Sequence, residues 1–162
     1  MAPASPRTPT LFPLFFVLAL DPAPAPALLP SLTSKARTFQ LMHIDFPRSN
    51  FAPGFRGYCN GLMAYVRAQR ESWQCPERHF VLHAPSHSVR ALCARTDSFC
   101  EDFGEFCTLS RKPLPVTTCA RTPGLPPSVC RYNATVHVQS HKIWLLCSSK
   151  FEGFPMDIIG VS

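Results

Sequence analysis

Apolar positions along this chain keep helical spacing early and shift to alternation later. In "ARTFQLMHIDF", Phe39 and His43 stand four apart and share one helical face, Asp45 turns away, and Pro47 stops the run. "SNFAPGFRG" reads as a loop by its Pro, Asn and Gly content. "YCNGLMAYVRAQR" sets Leu62, Met63, Tyr65 and Val66 at helical spacing, with Arg67 and Arg70 suiting the helix C-terminus. "SHSVRALCAR" gives a third short helix, with Ser86 or Ser88 to cap it and Val89, Leu92 and Cys93 facing inward. Strands are expected in the apolar "HFVLH", in "FCTLS" and "PVTTCART" around the turn-prone "RKPLP", and in "VCRYNATVHVQ" before a polar turn at "SH". In "KIWLLC", Ile143, Leu145 and Cys147 alternate with Trp144 and Leu146, so both faces are apolar, as in a central strand covered on two sides. Three short helices placed before and between antiparallel strands make an α+β class.

The first residues change the picture of the mature chain. "MAPASPRTPTLFPLFFVLAL" has a weakly positive start and an apolar run from Leu11 to Leu20, the length of a signal-peptide core and too short to span a bilayer. Small residues at Ala25 and Ala27 suit a cleavage site, with any cut from Leu20 to Ala27 tolerable. The expected organisation is a signal peptide over 1–27, a flexible Pro/Ala-rich lead-in over 28–37 and one domain over 38–162. No later run is long and apolar enough to act as a transmembrane segment.

Eight cysteines lie between Cys59 and Cys147, which in a small secreted domain reads as a disulfide framework with 105 possible connectivities. No Cys-x-x-Cys pair exists and Pro85 interrupts the histidine pair of "HAPSH", so neither a metal nor another cofactor is expected. The net charge of +6 suits RNA, anionic glycans or microbial membranes through a general field, yet the basic residues are scattered rather than packed in a run. "NAT" at Asn133 is an N-glycosylation acceptor for a secreted chain.

The cysteine positions 59, 75, 93, 100, 107, 119, 130 and 147, together with "FQLMHID", "YCNGLM", "CPERHFVLH" and "CSSKFEGFPMDI", resemble the pancreatic-type ribonuclease A superfamily from Thr38 to the C-terminus. Within it, "FRGYCNGLM", "SFCE" and "FCTL" look most like a noncatalytic branch. The resemblance implies a bent antiparallel sheet with three helices and the bridges Cys59–Cys119, Cys75–Cys130, Cys93–Cys147 and Cys100–Cys107. A core this small needs such staples.

Cutting RNA by attack of a neighbouring 2′-hydroxyl requires a base, an acid for the departing oxygen and a cation for charge on phosphorus. Catalysts of the superfamily use a first-helix histidine, a histidine in the last strand and a lysine after the second cysteine. His43 matches the base, although Met42 replaces the preceding glutamine. Pro76 stands for the lysine, and "GFPMDIIG" is read with Met156 at the position of the acid histidine. Phe80 takes the place of the threonine that selects pyrimidines. Arg78, His79 and His141 are the remaining candidates to substitute; Arg78 cannot serve as the acid, and His79 reads as an ordinary strand histidine.

The resemblance therefore implies a ribonuclease fold whose catalytic set is broken, with a rate lowered by about 10⁴–10⁷ if the losses multiply. The expected function is a secreted, monomeric, catalytically inactive protein that binds a protein or an anionic surface. The other classes left open are a cationic antimicrobial protein and an RNA-binding protein with weak residual cleavage.

Overall fold

A computed structural model describes residues 30–69, 74–96, 98–148 and 153–162. Among the described residues, three α-helices, α1 (Pro30–His43), α2 (Tyr58–Gln69) and α3 (Ser86–Leu92), accompany seven strands. The strands are β1 (Arg78–Leu82), β2 (Ser98–Cys100), β3 (Glu105–Leu109), β4 (Leu114–Ala120), β5 (Gln139–His141), β6 (Ile143–Cys147) and β7 (Pro155–Val161). All strand pairs are antiparallel, in a three-stranded sheet β1-β4-β5 and a four-stranded sheet β2-β3-β6-β7. The expected single bent sheet is thus two ladders, which the chain joins where β5 hands over to β6 at Lys142. The α+β class holds, and β6 is central, between β3 and β7, as its alternation predicts.

Four expectations shift. The first helix begins at Pro30, inside the stretch read as a flexible lead-in, because a proline at the first helical position has no N–H to lose and Lys35, Ala36 and Arg37 are good helix formers. The expected signal peptide over 1–27 lies outside the described residues. Neither Ser86 nor Ser88 caps α3; Pro85 occupies the N-cap and no side chain bonds there. Tyr65 is 63% exposed, since Cys59, Leu62, Met63 and Val66 fill the inner face of α2. Finally, most of "VCRYNATVHVQ" is not strand, and Ser140 and His141 belong to β5 rather than to a turn. Side chains take the backbone partners there: Asn60 Oδ1 accepts from the Tyr132 N–H (2.9 Å), Asn60 Nδ2 donates to the Tyr132 carbonyl (3.1 Å), and Asn133 Oδ1 accepts from the Ala120 N–H (2.9 Å).

All four bridges pair as the resemblance implies: Cys59–Cys119, Cys75–Cys130, Cys93–Cys147 and Cys100–Cys107. Two cores result. One joins Phe39 of α1 to Leu82, Val89, Val116, Ile143, Leu145 and Ile158; the other packs α2 against Val81 and Tyr132. Burying Phe39 in the first core sets the rotation of α1, and so places His43, one turn later, at the edge of β1.

The junction after α1 is pinned by polar groups. The Asp45 N–H donates to the Leu82 carbonyl (3.0 Å), while its carboxylate accepts from the Ser49 hydroxyl (2.6 Å), the Ser49 N–H (3.0 Å) and the Tyr58 hydroxyl (2.5 Å). Burial alone would push the Asp45 carboxyl up, but these bonds and the nearby His83 ring together hold it below its ordinary value of 3.8. A lowered carboxylate stabilises the fold fully above that value and loses its contribution as pH falls through the folded value. Asp45→Asn is expected to cost about 1–3 kcal/mol at pH 7, in urea unfolding, and the gap between parent and variant is expected to close below about pH 3.8. A gap that widens on acidification contradicts this.

Candidate functional site

His43 ends α1 and is 3% exposed. Its Nδ1 donates to the Phe80 carbonyl on β1 (2.9 Å), which fixes the ring plane. Its Nε2 points across to β7 and meets Asp157 Oδ1 at 3.2 Å. Both ring nitrogens therefore face oxygen atoms. Phe39, one turn earlier, lies against the imidazole on one side (5.0 Å between centroids). His79 stacks on it at 4.6 Å and 19°.

His79 is itself 2% exposed, and its Nε2 donates to the Met42 carbonyl (2.7 Å). It thus clips the last turn of α1 to β1. The expectation of an ordinary strand histidine holds for burial but misses this stacking partner. No periodicity signals such a contact, because it joins residues 36 apart in sequence.

A groove of about 270 Å³ opens at His43, lined also by Lys35, Thr38, Phe39, Met42, Met156 and Asp157. The expectation that Met156 stands opposite His43 needs correction. Met156 lines the groove, but the side chain that reaches the imidazole is Asp157. The reason is strand alternation: Ile158 enters the core at 5% exposure, so its neighbour Asp157 must face the other way, toward α1. The superfamily ending that the resemblance implies, Pro-x-His-x-Asp, also puts Asp157, two residues on from Pro155, at the histidine position. Lys35 was missed as well, because it lies on the helical turns taken for lead-in.

The other candidates fall elsewhere. Pro76 is absent from the groove lining, and its carbonyl accepts the Tyr132 hydroxyl (2.9 Å). Arg78 is exposed at the start of β1. His141 sits on β5 with its Nε2 2.9 Å from the Gln139 side-chain oxygen. Neither lines the groove. Asn133 is half-buried, held at both its backbone N–H and its side-chain oxygen by Ala120.

His43, stacked on His79 and paired with the Asp157 carboxylate, thus opens into a groove that Lys35 also lines, and the comparisons with known proteins say which family carries this scaffold. The model of the pancreatic ribonuclease family matches residues 34–159. The chain belongs to the pancreatic ribonuclease family. The relative described as probable inactive ribonuclease-like protein 13 of Homo sapiens is 42% identical over 161 residues, covering 99% of this chain and 97% of that protein. Its counterpart from Rattus norvegicus is 40% identical over 147 residues, covering 90% and 95%. The pancreatic ribonuclease of Iguana iguana is more distant, at 29% over 100 residues, covering 60% and 77%. Among solved structures, green turtle egg white ribonuclease matches with a TM-score of 0.61 at 23% identity, covering 79% of this chain and 98% of that one, a likeness of fold. This pancreatic ribonuclease family member keeps the scaffold and its four bridges while presenting Asp157 to His43.

Proposed function

We propose that this chain is a secreted, noncatalytic member of the pancreatic ribonuclease family that acts by binding. The observation that carries the reading is the His43–Asp157 pair. An ionised carboxylate only accepts hydrogen bonds, so Asp157 has no proton to give a departing 5′-oxygen. Its carboxylate also stands 3.2 Å from the Nε2 of His43, the nitrogen left over once Nδ1 is spent on Phe80, where a 2′-hydroxyl would have to approach. Lys35 keeps positive charge in the groove, which suits binding an anion more than cutting one.

The resemblance adds Pro76 at the position of the lysine of the catalysts, without a side-chain donor. The descriptions of the human and rat relatives as probable inactive support the same reading. Secretion is supported by the paired cysteines, all eight of which are bridged, and by the leader-like first residues.

Expressed in secreting cells, the chain is expected in the medium with four disulfides and a new N-terminus from a cut within residues 20–27. That product is expected to leave a fluorogenic dinucleotide uncut from pH 5 to 8. A bell-shaped rate profile in that range, the mark of a working acid and base, overturns the reading.

A further inference from the structure

α1 separates two depressions that share Phe39. The one opposite the His43 groove is the larger, about 430 Å³, and lies between α1, α3 and the start of β7. That size falls in the range of small-molecule sites, roughly 300–1,000 Å³. Phe39, Ile44, Phe154 and Pro155 give it an apolar floor. The floor is held in place from outside: Gly153, with φ 65°, passes so close to Cys93 that an added Cβ would collide with the Cys93 carbonyl.

The rim has the opposite character. Arg37 comes from α1 and Arg90 from α3, both exposed, and among the described residues neither pairs with a carboxylate and none lines the depression. The Arg90 guanidinium rests 4.0 Å from the centroid of the Phe154 ring, so a cation is held directly on the floor rather than free in solvent. A guanidinium seated on an aromatic face, with a second arginine lining the same depression, is suited to a carboxylate or phosphate, which it can grip with two parallel N–H donors. Gln40, Ser86 and His87 complete the lining, and the apolar floor suits the hydrocarbon part of such a ligand.

We propose that this depression is a binding site for a small amphipathic anion, with its carboxylate or phosphate head on Arg37 and Arg90 and its apolar body on Phe39, Ile44 and Phe154. The site shares only Phe39 with the His43 groove and does not depend on whether the chain cuts RNA.

The test is an NMR titration of the oxidised chain with octanoate, octyl phosphate, octanol and inorganic phosphate, each below its aggregation concentration. Both amphipathic anions are expected to bind saturably and shift resonances around Phe39, Ile44 and Phe154, and their relative affinity identifies the preferred head. Octanol and inorganic phosphate are each expected to bind at least about tenfold more weakly. Arg37→Gln and Arg90→Gln, both on exposed side chains, are expected to weaken octanoate at least about fivefold each. Arg67→Gln, an exposed cation on α2, is expected to leave it unchanged. Equal affinity for octanol makes the site merely apolar, and equal affinity for inorganic phosphate makes it merely cationic. Either result overturns the proposal, as does an equal loss in Arg67→Gln or the absence of saturable binding by both anions.

Discussion

Installing Pro76→Lys and Asp157→His together is expected to raise single-stranded RNA cleavage by at least about 10³-fold over the parent chain. On the reading proposed above, the two changes return the two missing functions. A positioned acid contributes about 10²–10⁴-fold and a charge stabiliser about 10²–10³-fold, although groups that act as a unit do not simply multiply. Asp157→His also does a second thing, because it removes the carboxylate that now holds His43 Nε2 at 3.2 Å. Asp157→His alone is therefore expected to give a smaller gain than the pair. The Pro76 carbonyl that receives the Tyr132 hydroxyl is backbone, and survives the change to lysine. Adding His43→Ala to the pair is expected to abolish the gain, which separates rebuilt chemistry from a contaminating nuclease. A folded double variant with no gain shows that more than these two positions is missing.

The second large effect concerns the framework. Replacing both Cys93 and Cys147 with alanine removes a bridge that closes a separation of 54 residues and joins the end of α3 to the central strand β6. Loop-closure entropy for that length is worth about 4 kcal/mol, against a total of about 5–15 kcal/mol for a domain. Both sulfurs are buried beside Val89, Leu145 and Ile158, so the alanines also leave a gap in the first core. Removing Cys100–Cys107, which closes only seven residues of a hairpin, is expected to cost less, about 2.5 kcal/mol. Urea midpoints measured on the two double variants give the order. A hairpin bridge that proves the costlier of the two contradicts the argument.

How much of this was readable from the residues depends on whether the signal is local. The alternation of Ile143, Leu145 and Cys147 identifies β6 and its central place correctly, since those three side chains are buried on one face, but the expected cover of the other face reaches Leu146 and leaves Trp144 36% exposed. The inner face of α2 is equally local, with Leu62, Met63 and Val66 all buried. The segment 129–138 looks like strand by composition, but its backbone is claimed by Asn60, 72 residues away from Tyr132, and nothing nearby announces that. His79 against His43 is the same kind of contact.

The site shows both cases. His43 was placed by its spacing from Phe39, which the helix honours. The residue opposite was read one position early, at Met156. A one-residue slip on a strand turns every side chain to the other face, and the burial of Ile158 is what fixes the register. No histidine stands at Asp157 either, and the structure adds what the sequence lacked, a carboxylate 3.2 Å from the His43 Nε2.

The claim on which the account rests is that His43 takes no proton from RNA. Its most direct test is a prolonged incubation of concentrated, fully oxidised chain with end-labelled single-stranded RNA, beside the His43→Ala variant. The same slow background cleavage is expected in both. Cleavage by the parent that drops by about 100-fold or more when His43 is replaced would contradict it.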